Sequence, residues 1–477
     1  HLGLRDEQGE RSVTAGPTMR LAQFAADVQY RNLPDAVQDQ LYVSLLDYLR
    51  VASIGARMEW SQWAIELARR LGGKGGSYLL FTNERTDPVR ATFVNTTYAG
   101  SIDADDTHVG AMLHPGAIIF SATMALAQDL KRSGEEVLSA VAAGYEAMIR
   151  IALAIQPAHF RRGFQSTATC GVFGAGVAAA HLLFTGENRA KHIAETIGLA
   201  ASFSGGITQF YHSGSTVKRI HASHAATEGL QAALLAGAGF SGPIDALEGQ
   251  DGYARAYAGE SNWNVLLDGL GEVYRITEVS IKPHACSARV QAAIEATARV
   301  CRENDIDVAQ VETIHLGIPQ VIQGRLTTNE PRDLQAAQMS APFAVGLTLA
   351  RIKALPPAFA LTIDDFDHGM RDAHVLGLTA RVQCVPDDDV ERVSTAESVG
   401  AKLTLGMRGG AQHTVFIEAP EGSISRPLSH EDHEAHFLEE MKRRFTPRAS
   451  ERLLSTIQDF PAAPDVSVLA KLLAQNV

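Results

Sequence analysis

The apolar pattern of this chain changes its period once, near Tyr274, and that change limits the folds open to it. From Arg20 to about Leu270 apolar residues recur at helical spacing, as in Leu41, Tyr42, Leu45, Leu46 and Leu49. Residues 115–130 read as a buried helix with proline at a favoured first position. Residues 134–153 and 171–183 are further helices, the second rich in small residues that let helices approach closely. Beyond Tyr274, residues 276–281 alternate like a strand, 290–303 are helical, 311–318 are β-like and 341–351 are helical again. Residues 376–385 and 411–419 contain period-two, β-rich segments. Ser429 and Asp432 then have the spacing of a capping box at the start of a last helical stretch.

A single core rarely grows past about 250–300 residues, so a chain of 477 residues is expected to form two domains. The expected fold is mainly α. Residues 20–274 form a large all-helical domain, residues 275–425 a smaller α+β lid domain, and helices in 426–477 return to the helical domain. Residues 1–19 are expected to be a tail or an added remnant, with Met19 the native start. Aromatic residues make up only 6% of the chain, which favours close-packed helices over a β-sandwich.

Net charge is −12, which argues against nucleic acid as a partner, because phosphate binding needs a basic face. An anionic substrate would therefore need a local cationic pocket. Cys170, Cys286, Cys301 and Cys384 form no CxxC pair, which argues against a structural zinc site. So few cysteines suit a reducing, cytoplasmic setting. The longest apolar run, near 172–184, is too short and too interrupted to cross a membrane.

Three stretches could carry chemistry. In the first, Asp103, Asp105, Asp106, Thr107 and His108 precede His114-Pro115-Gly116. Pro115 disfavours helical geometry at His114, so a loop would return this imidazole toward acidic and hydroxyl groups, a plausible acid/base arrangement. Two other readings stay open: helix capping by Asp105 and Asp106, or a divalent metal held by Asp103, Asp105, Asp106 and His114 in a metal-dependent hydrolase. In the second stretch, Lys218, Arg219 and His221 open a strong helical pattern. Cations there are unfavourable unless an anion is present, so the cationic pocket is expected here, against the alternative of a solvated basic pair. The third stretch, Lys282-Pro283-His284-Ala285-Cys286, could project into an interdomain cleft, or could be a turn with a small buried thiol. His430, His433 and His436 do not form HExxH, and the run Gly72-Gly73-Lys74-Gly75-Gly76 is not a P-loop.

Taken in order, several segments resemble the MmgE/PrpD family. They are Leu45-Leu46-Asp47, Ala91-Thr92-Phe93-Val94-Asn95, Asp103 to His108, His114-Pro115, Gly144-Tyr145-Glu146 with Arg150, and Gly163-Phe164 through Gly171. Lys218 with His221, Lys282 with Cys286, Met339 to Val345 and Pro420-Glu421-Gly422 continue the series. The resemblance implies a helical domain built from both chain ends plus a smaller α+β domain, a homodimer, no metal or organic cofactor, and a site in the cleft between domains. It implies a lyase or isomerase acting on a small di- or tricarboxylate, first a 2-methylcitrate dehydratase type, alternatively a cis-aconitate decarboxylase or iminodisuccinate epimerase type.

By motif position the resemblance implies Asp103, Thr107, His114 and Lys218 as pocket residues, Cys286 from the second domain, and Tyr145 as a secondary proton carrier. His114 is expected to move the proton, oriented by Asp103 and Thr107, while Lys218, helped by Arg219 or His221, holds carboxylate charge. Gln165, Arg219, His221, Lys282 and Cys286 are the expected substrate-binding residues. An epimerase would need a second acid/base, with Tyr145 the leading candidate. Two departures matter: Gln165 and Gly100 stand where many members carry histidine, and glutamine cannot exchange a proton near neutrality. The Gln165 departure also motivates a non-catalytic carboxylate-binding protein as an alternative.

Overall fold

Three long helices, Gly134–Ile155, Ser166–Leu183 and Lys218–Gly237, form the centre of the molecule. The computed structural model of the protein describes residues 15–474, apart from 214, 357–358 and 396–397. The helix Ser166–Leu183 packs extensively against both of the others. Small residues permit this. A Cβ on Gly144 would stand 2.8 Å from the Gly174 carbonyl oxygen, and one on Gly229 would overlap the Val172 carbonyl. Gly229→Val should therefore lower stability by about 1–3 kcal/mol or more through overpacking, read as a lower denaturation midpoint. An unchanged midpoint would contradict this packing.

Helices Gly134–Ile155 and Ser166–Leu183 are long and apolar enough to cross a bilayer, but 94% of each apolar window is buried inside the protein, which accounts for that composition. Within Gly134–Ile155, Arg150 is fully buried and pairs with Glu146 at 2.8 Å. Its guanidinium also donates to the carbonyls of Leu266 and Asp268 at 2.9 and 2.8 Å, and to that of Val273. This ties the chain at 266–273 to the central helices.

The protein is mostly helical with small sheets. Strands β1 (Ser77–Tyr78) and β2 (Arg85–Thr86) form a short antiparallel ribbon. Strands β3 (Val311–Ile318), β4 (Val382–Pro386), β5 (Ala401–Met407) and β6 (Gln412–Ile417) form a sheet in the order β4-β3-β5-β6. β3 pairs parallel with β4 and antiparallel with β5. Along β5, Ala401, Leu403 and Leu405 are buried, as expected of a sheet with one covered face.

Buried apolar side chains fall into two clusters. The first runs from Leu21 to Ala285 and also takes in Ile363 and Phe437, Met441, Phe445, Leu453 and Ile457 of the last helices. The second, from Cys286 to Ile417, combines the sheet with helices Gln291–Glu303 and Ala341–Arg351.

Three local expectations are corrected, and one strand went unanticipated. Residues 276–281 are not a strand: Arg275–Glu278 is a 3-10 turn, held by Ile276 N–H donating to Glu146 at 3.1 Å and by the Arg275–Glu278 ion pair. The segment 376–385 is divided: Asp372 caps a helix at Ala373–Thr379, and only Val382–Pro386 is strand. Strand β5 had no clear signal in the sequence reading. The tail does not extend to residue 19, because a helix begins at Pro17 and Thr18 is buried, its backbone donating to Glu248 at 3.2 Å. Residues 1–14 lie outside the described residues. At the other end, Ser429 and Asp432 do form a capping box, opening the helix His430–Met441.

Candidate active site

The site is built on a loop between two helices. Helix Pro88–Gly100, capped by Asp87, delivers the chain into residues 101–115, and helix Gly116–Leu130 carries it away. The loop is fastened from several sides. Thr107 exchanges backbone bonds with Ser280 at 2.9 and 2.8 Å. Gln338 donates 2.7 Å bonds to the carbonyls of Ile102 and Ala285 and accepts from Arg219 at 3.1 Å. Asp103 takes the left-handed conformation, φ +58°, which costs energy and persists only where surrounding contacts fix it.

Those contacts are two lysines. Lys218, the first residue of its helix, donates to Asp103 Oδ2 at 2.7 Å. Lys282 donates to Oδ1 at 3.0 Å and lies 3.7 Å from Asp105. Burial alone would raise the Asp103 carboxyl, but the two ammonium groups outweigh it and hold the group well below the usual carboxylate range. Burial acts to lower the Lys282 ammonium, and Asp103 and Asp105 more than reverse that.

His114 stands beside them. Its Nδ1 lies 2.9 Å from the Thr107 hydroxyl, 3.1 Å from the Asp106 carbonyl oxygen and 3.7 Å from Asp105. A carbonyl oxygen can only accept, so a ring proton on Nδ1 satisfies the contact to Asp106, and in that tautomer Nε2 carries the lone pair. The Thr167 hydroxyl fixes the backbone by accepting the His114 N–H at 3.1 Å. Burial lowers the imidazole below its ordinary 6.5, with Asp105 opposing, so the neutral ring predominates near neutral pH.

Behind the imidazole lies a second acidic group. Tyr145 donates to Asp106 Oδ2 at 2.7 Å and Gly116 N–H donates to Oδ1 at 2.8 Å. Burial, then the nearby Asp47 charge, push Asp106 up to about 8 against the Tyr145 bond. A Cβ on Gly116 would stand 2.7 Å from the Tyr145 hydroxyl, so glycine is needed there.

A cavity of about 350 Å³ opens in front of this set. Asp103, Thr107, His114, Gln165 and Lys218 line it, so the structure brings these five expected residues together. Gln165 also caps helix Ser166–Leu183, accepting from Ala168 N–H at 2.7 Å.

The other expected residues sit elsewhere. Tyr145 is fully buried behind Asp106 and does not line the cavity, so it is not placed to serve as a second acid/base against a substrate. Arg219 is spent on the loop: it bonds the Ser101 carbonyl and Gln338 and covers the Trp60 ring at 4.5 Å. His221 packs edge-on against Phe210, its Nδ1 unpartnered, and burial lowers it to about 4. Lys282 reaches the site through Asp103 rather than through the cavity. Cys286 is fully buried under Gln291, which donates to its sulfur at 3.2 Å, and burial raises its thiol. The sequence reading also missed cavity residues that come from distant segments: Arg161, Tyr211, Ser287, Arg289, Arg325 and Met339. Their only shared signal, positive charge at three positions, emerges once the fold gathers them.

Ligand atoms of Asp103, Asp105 and His114 lie within 4.8 Å of one another, close enough to hold a metal ion. The donor set does not suit one. Both Asp103 oxygens already accept from ammonium groups, and Asp106 is turned toward Tyr145 and Gly116. A divalent cation would share the site with two positive charges.

An imidazole, a carboxylate held by two ammonium groups and an open cavity are the equipment of an enzyme site. The chain matches the MmgE/PrpD N-terminal domain over residues 19–266 and the MmgE/PrpD C-terminal domain over residues 284–460, and it belongs to that family. It is similar to a cis-aconitate decarboxylase of Aspergillus terreus, 22% identical over 446 residues, 89% of each chain. It is likewise similar to the cis-aconitate decarboxylase-like protein oryM of Aspergillus oryzae, 22% identical over 99% of each chain. The cis-aconitate decarboxylase of Homo sapiens is 24% identical, over 82% of this chain and 80% of the relative.

Proposed function

We propose that this protein is a cofactor-independent lyase that moves a proton at a carbon next to a carboxylate of a small polycarboxylate. The observation that carries the reading is the placement of His114: Nδ1 is engaged at 2.9 and 3.1 Å, and the ring lines the same cavity as Lys218, with Nε2 as the proton-exchanging atom. We read the two cores as a helical domain closed by both chain ends and a smaller α+β lid, with the cavity between them.

The resting state suits a base, which favours dehydration of the 2-methylcitrate dehydratase type. Nε2 takes the α-proton and the C–H electron pair moves toward the adjacent carboxylate. The Lys218 ammonium stabilises that developing charge. The pair then forms the C=C bond as the C–O bond breaks, and the hydroxyl leaves as water with the proton that the His114 imidazolium returns.

The similarity to cis-aconitate decarboxylases favours a second reading. There the C–C bond breaks, carbon dioxide leaves, and the pair left on carbon takes a proton from a His114 imidazolium. The two readings require opposite protonation states, so a pH–rate profile separates them. For the base reading, kcat/KM is level above the depressed His114 pKa and falls about tenfold per unit as pH drops below it, with a midpoint under 6.5. A rate that instead falls as pH rises through that midpoint selects decarboxylation.

A further inference from the structure

We infer that Arg161, Arg289 and Arg325 form an anion subsite at the mouth of the cavity, which binds a substrate carboxylate distinct from the one at the reacting carbon. This rests on the polycarboxylate reading and deepens it.

Cation placement is the first observation. All three arginines line the same cavity as His114, although Arg161 is more than a hundred residues from Arg289 and Arg325 in the chain. Among the described residues, none of their guanidinium groups has a hydrogen bond or ion pair within the protein. The one acid lining the cavity, Asp103, is held by Lys218 and Lys282 at 2.7 and 3.0 Å, and its charge is already matched by theirs. Elsewhere in this chain of net charge −12, arginines find acidic partners readily, as do Arg57, Arg90, Arg275 and Arg351.

Rigidity is the second. Arg325 stacks over the Phe160 ring at 5.2 Å, which gives its guanidinium a fixed platform. Phe160 lies next to Arg161 and lines the cavity too. Arg289 is half-buried and its backbone N–H is held by the Ser287 hydroxyl at 3.3 Å. Burial lowers its pKa, Tyr211 acts to raise it, and the like charge of Arg325 lowers it again, whereas a bound anion would relieve that repulsion. Gathered, unpaired cations are unfavourable in the empty protein and become favourable when an anion bridges them.

The subsite is separate from the proton-transfer set, so it predicts specificity without chemistry. A monocarboxylate would reach His114 and Lys218 but leave the arginines unpaired. A di- or tricarboxylate would satisfy both ends.

Calorimetric binding of tricarballylate, an unreactive tricarboxylate, tests this in the full-length protein. Arg289→Met and Arg325→Met should each weaken binding by about 10–100-fold, the effect of losing one charge-assisted bond. The matching lysine variants should recover part of it, and butyrate should bind poorly to every form. With a turned-over substrate, the methionine variants should raise KM far more than they lower kcat. Methionine keeps an apolar stem, and neither guanidinium carries a bond that the fold needs, so an unchanged denaturation midpoint confirms folding. Tricarballylate binding equal to wild type in both folded variants would overturn the subsite while leaving the lyase reading standing. Tight arginine-dependent binding without turnover of any carboxylate would support the subsite and sink the lyase reading instead. Inorganic phosphate binding more tightly than tricarballylate would overturn the assignment to carboxylates.

Discussion

His114→Gln should lower kcat by about 10²–10⁴-fold while affinity for an unreactive tricarboxylate changes little. The substitution keeps a polar side chain of similar reach but removes proton exchange near neutral pH. Glutamine can still donate to the Asp106 carbonyl that His114 meets at 3.1 Å, so the loop geometry should survive. Lys218 and the arginines remain to hold the anion. Steady-state kinetics with calorimetry separates the two effects. Lost binding with unchanged turnover would make His114 a substrate-holding residue, and the proton carrier would have to be found elsewhere in the cavity.

Lys282→Met should cost about 3–5 kcal/mol of stability, the usual penalty for removing one partner of a buried ion pair. The Lys282 side chain is 1% exposed and, among the described residues, is the only lysine or arginine within ion-pair distance of Asp105. Without it, Asp103 and Asp105 stay buried near Asp106 and Asp47 with too little compensating charge. Lys218→Met should behave differently. Its side chain is 13% exposed, and Asp103 keeps its 3.0 Å bond to Lys282, so the fold should hold while turnover collapses. Denaturation midpoints and kcat measured on both variants check this contrast. Equal destabilisation by the two would show that the lysines are not divided between structure and substrate.

How much of this was legible in the sequence depended on how local each feature is. Strand β3 and the helix Ala341–Arg351 show clear apolar periods and caps, and their bounds could be read directly. Residues 276–281 alternate like a strand, yet Glu146, from a distant helix, captures the Ile276 N–H and turns the chain. The segment 376–385 hid a helix start, because an Asp372 cap competes with a strand pattern only when the backbone N–H groups have no ladder partner. In the site, Asp103, Thr107 and His114 sit within one short loop, so their proximity follows from chain connectivity. The fate of Arg219 does not. Its neighbour Lys218 faces the cavity while Arg219 is drawn to Ser101 and Gln338, and consecutive helical residues point about 100° apart. The three arginines were invisible for the same reason: nothing local to 161, 289 or 325 announces that the fold will gather them.

The most direct test is turnover of a carboxylate panel by the wild-type protein in heavy water with a chelator present, followed by NMR. The panel should include 2-methylcitrate, citrate, cis-aconitate and a monocarboxylate control. At least one polycarboxylate should be consumed. Dehydration would appear as a new alkene signal, and decarboxylation as loss of a carboxyl carbon with deuterium at the carbon that bore it. His114→Gln should slow either reaction by about 10²–10⁴-fold. Consumption of none of these carboxylates, or turnover that vanishes with the chelator and returns with an added divalent metal, would contradict the assignment of this site to metal-free proton transfer beside a carboxylate.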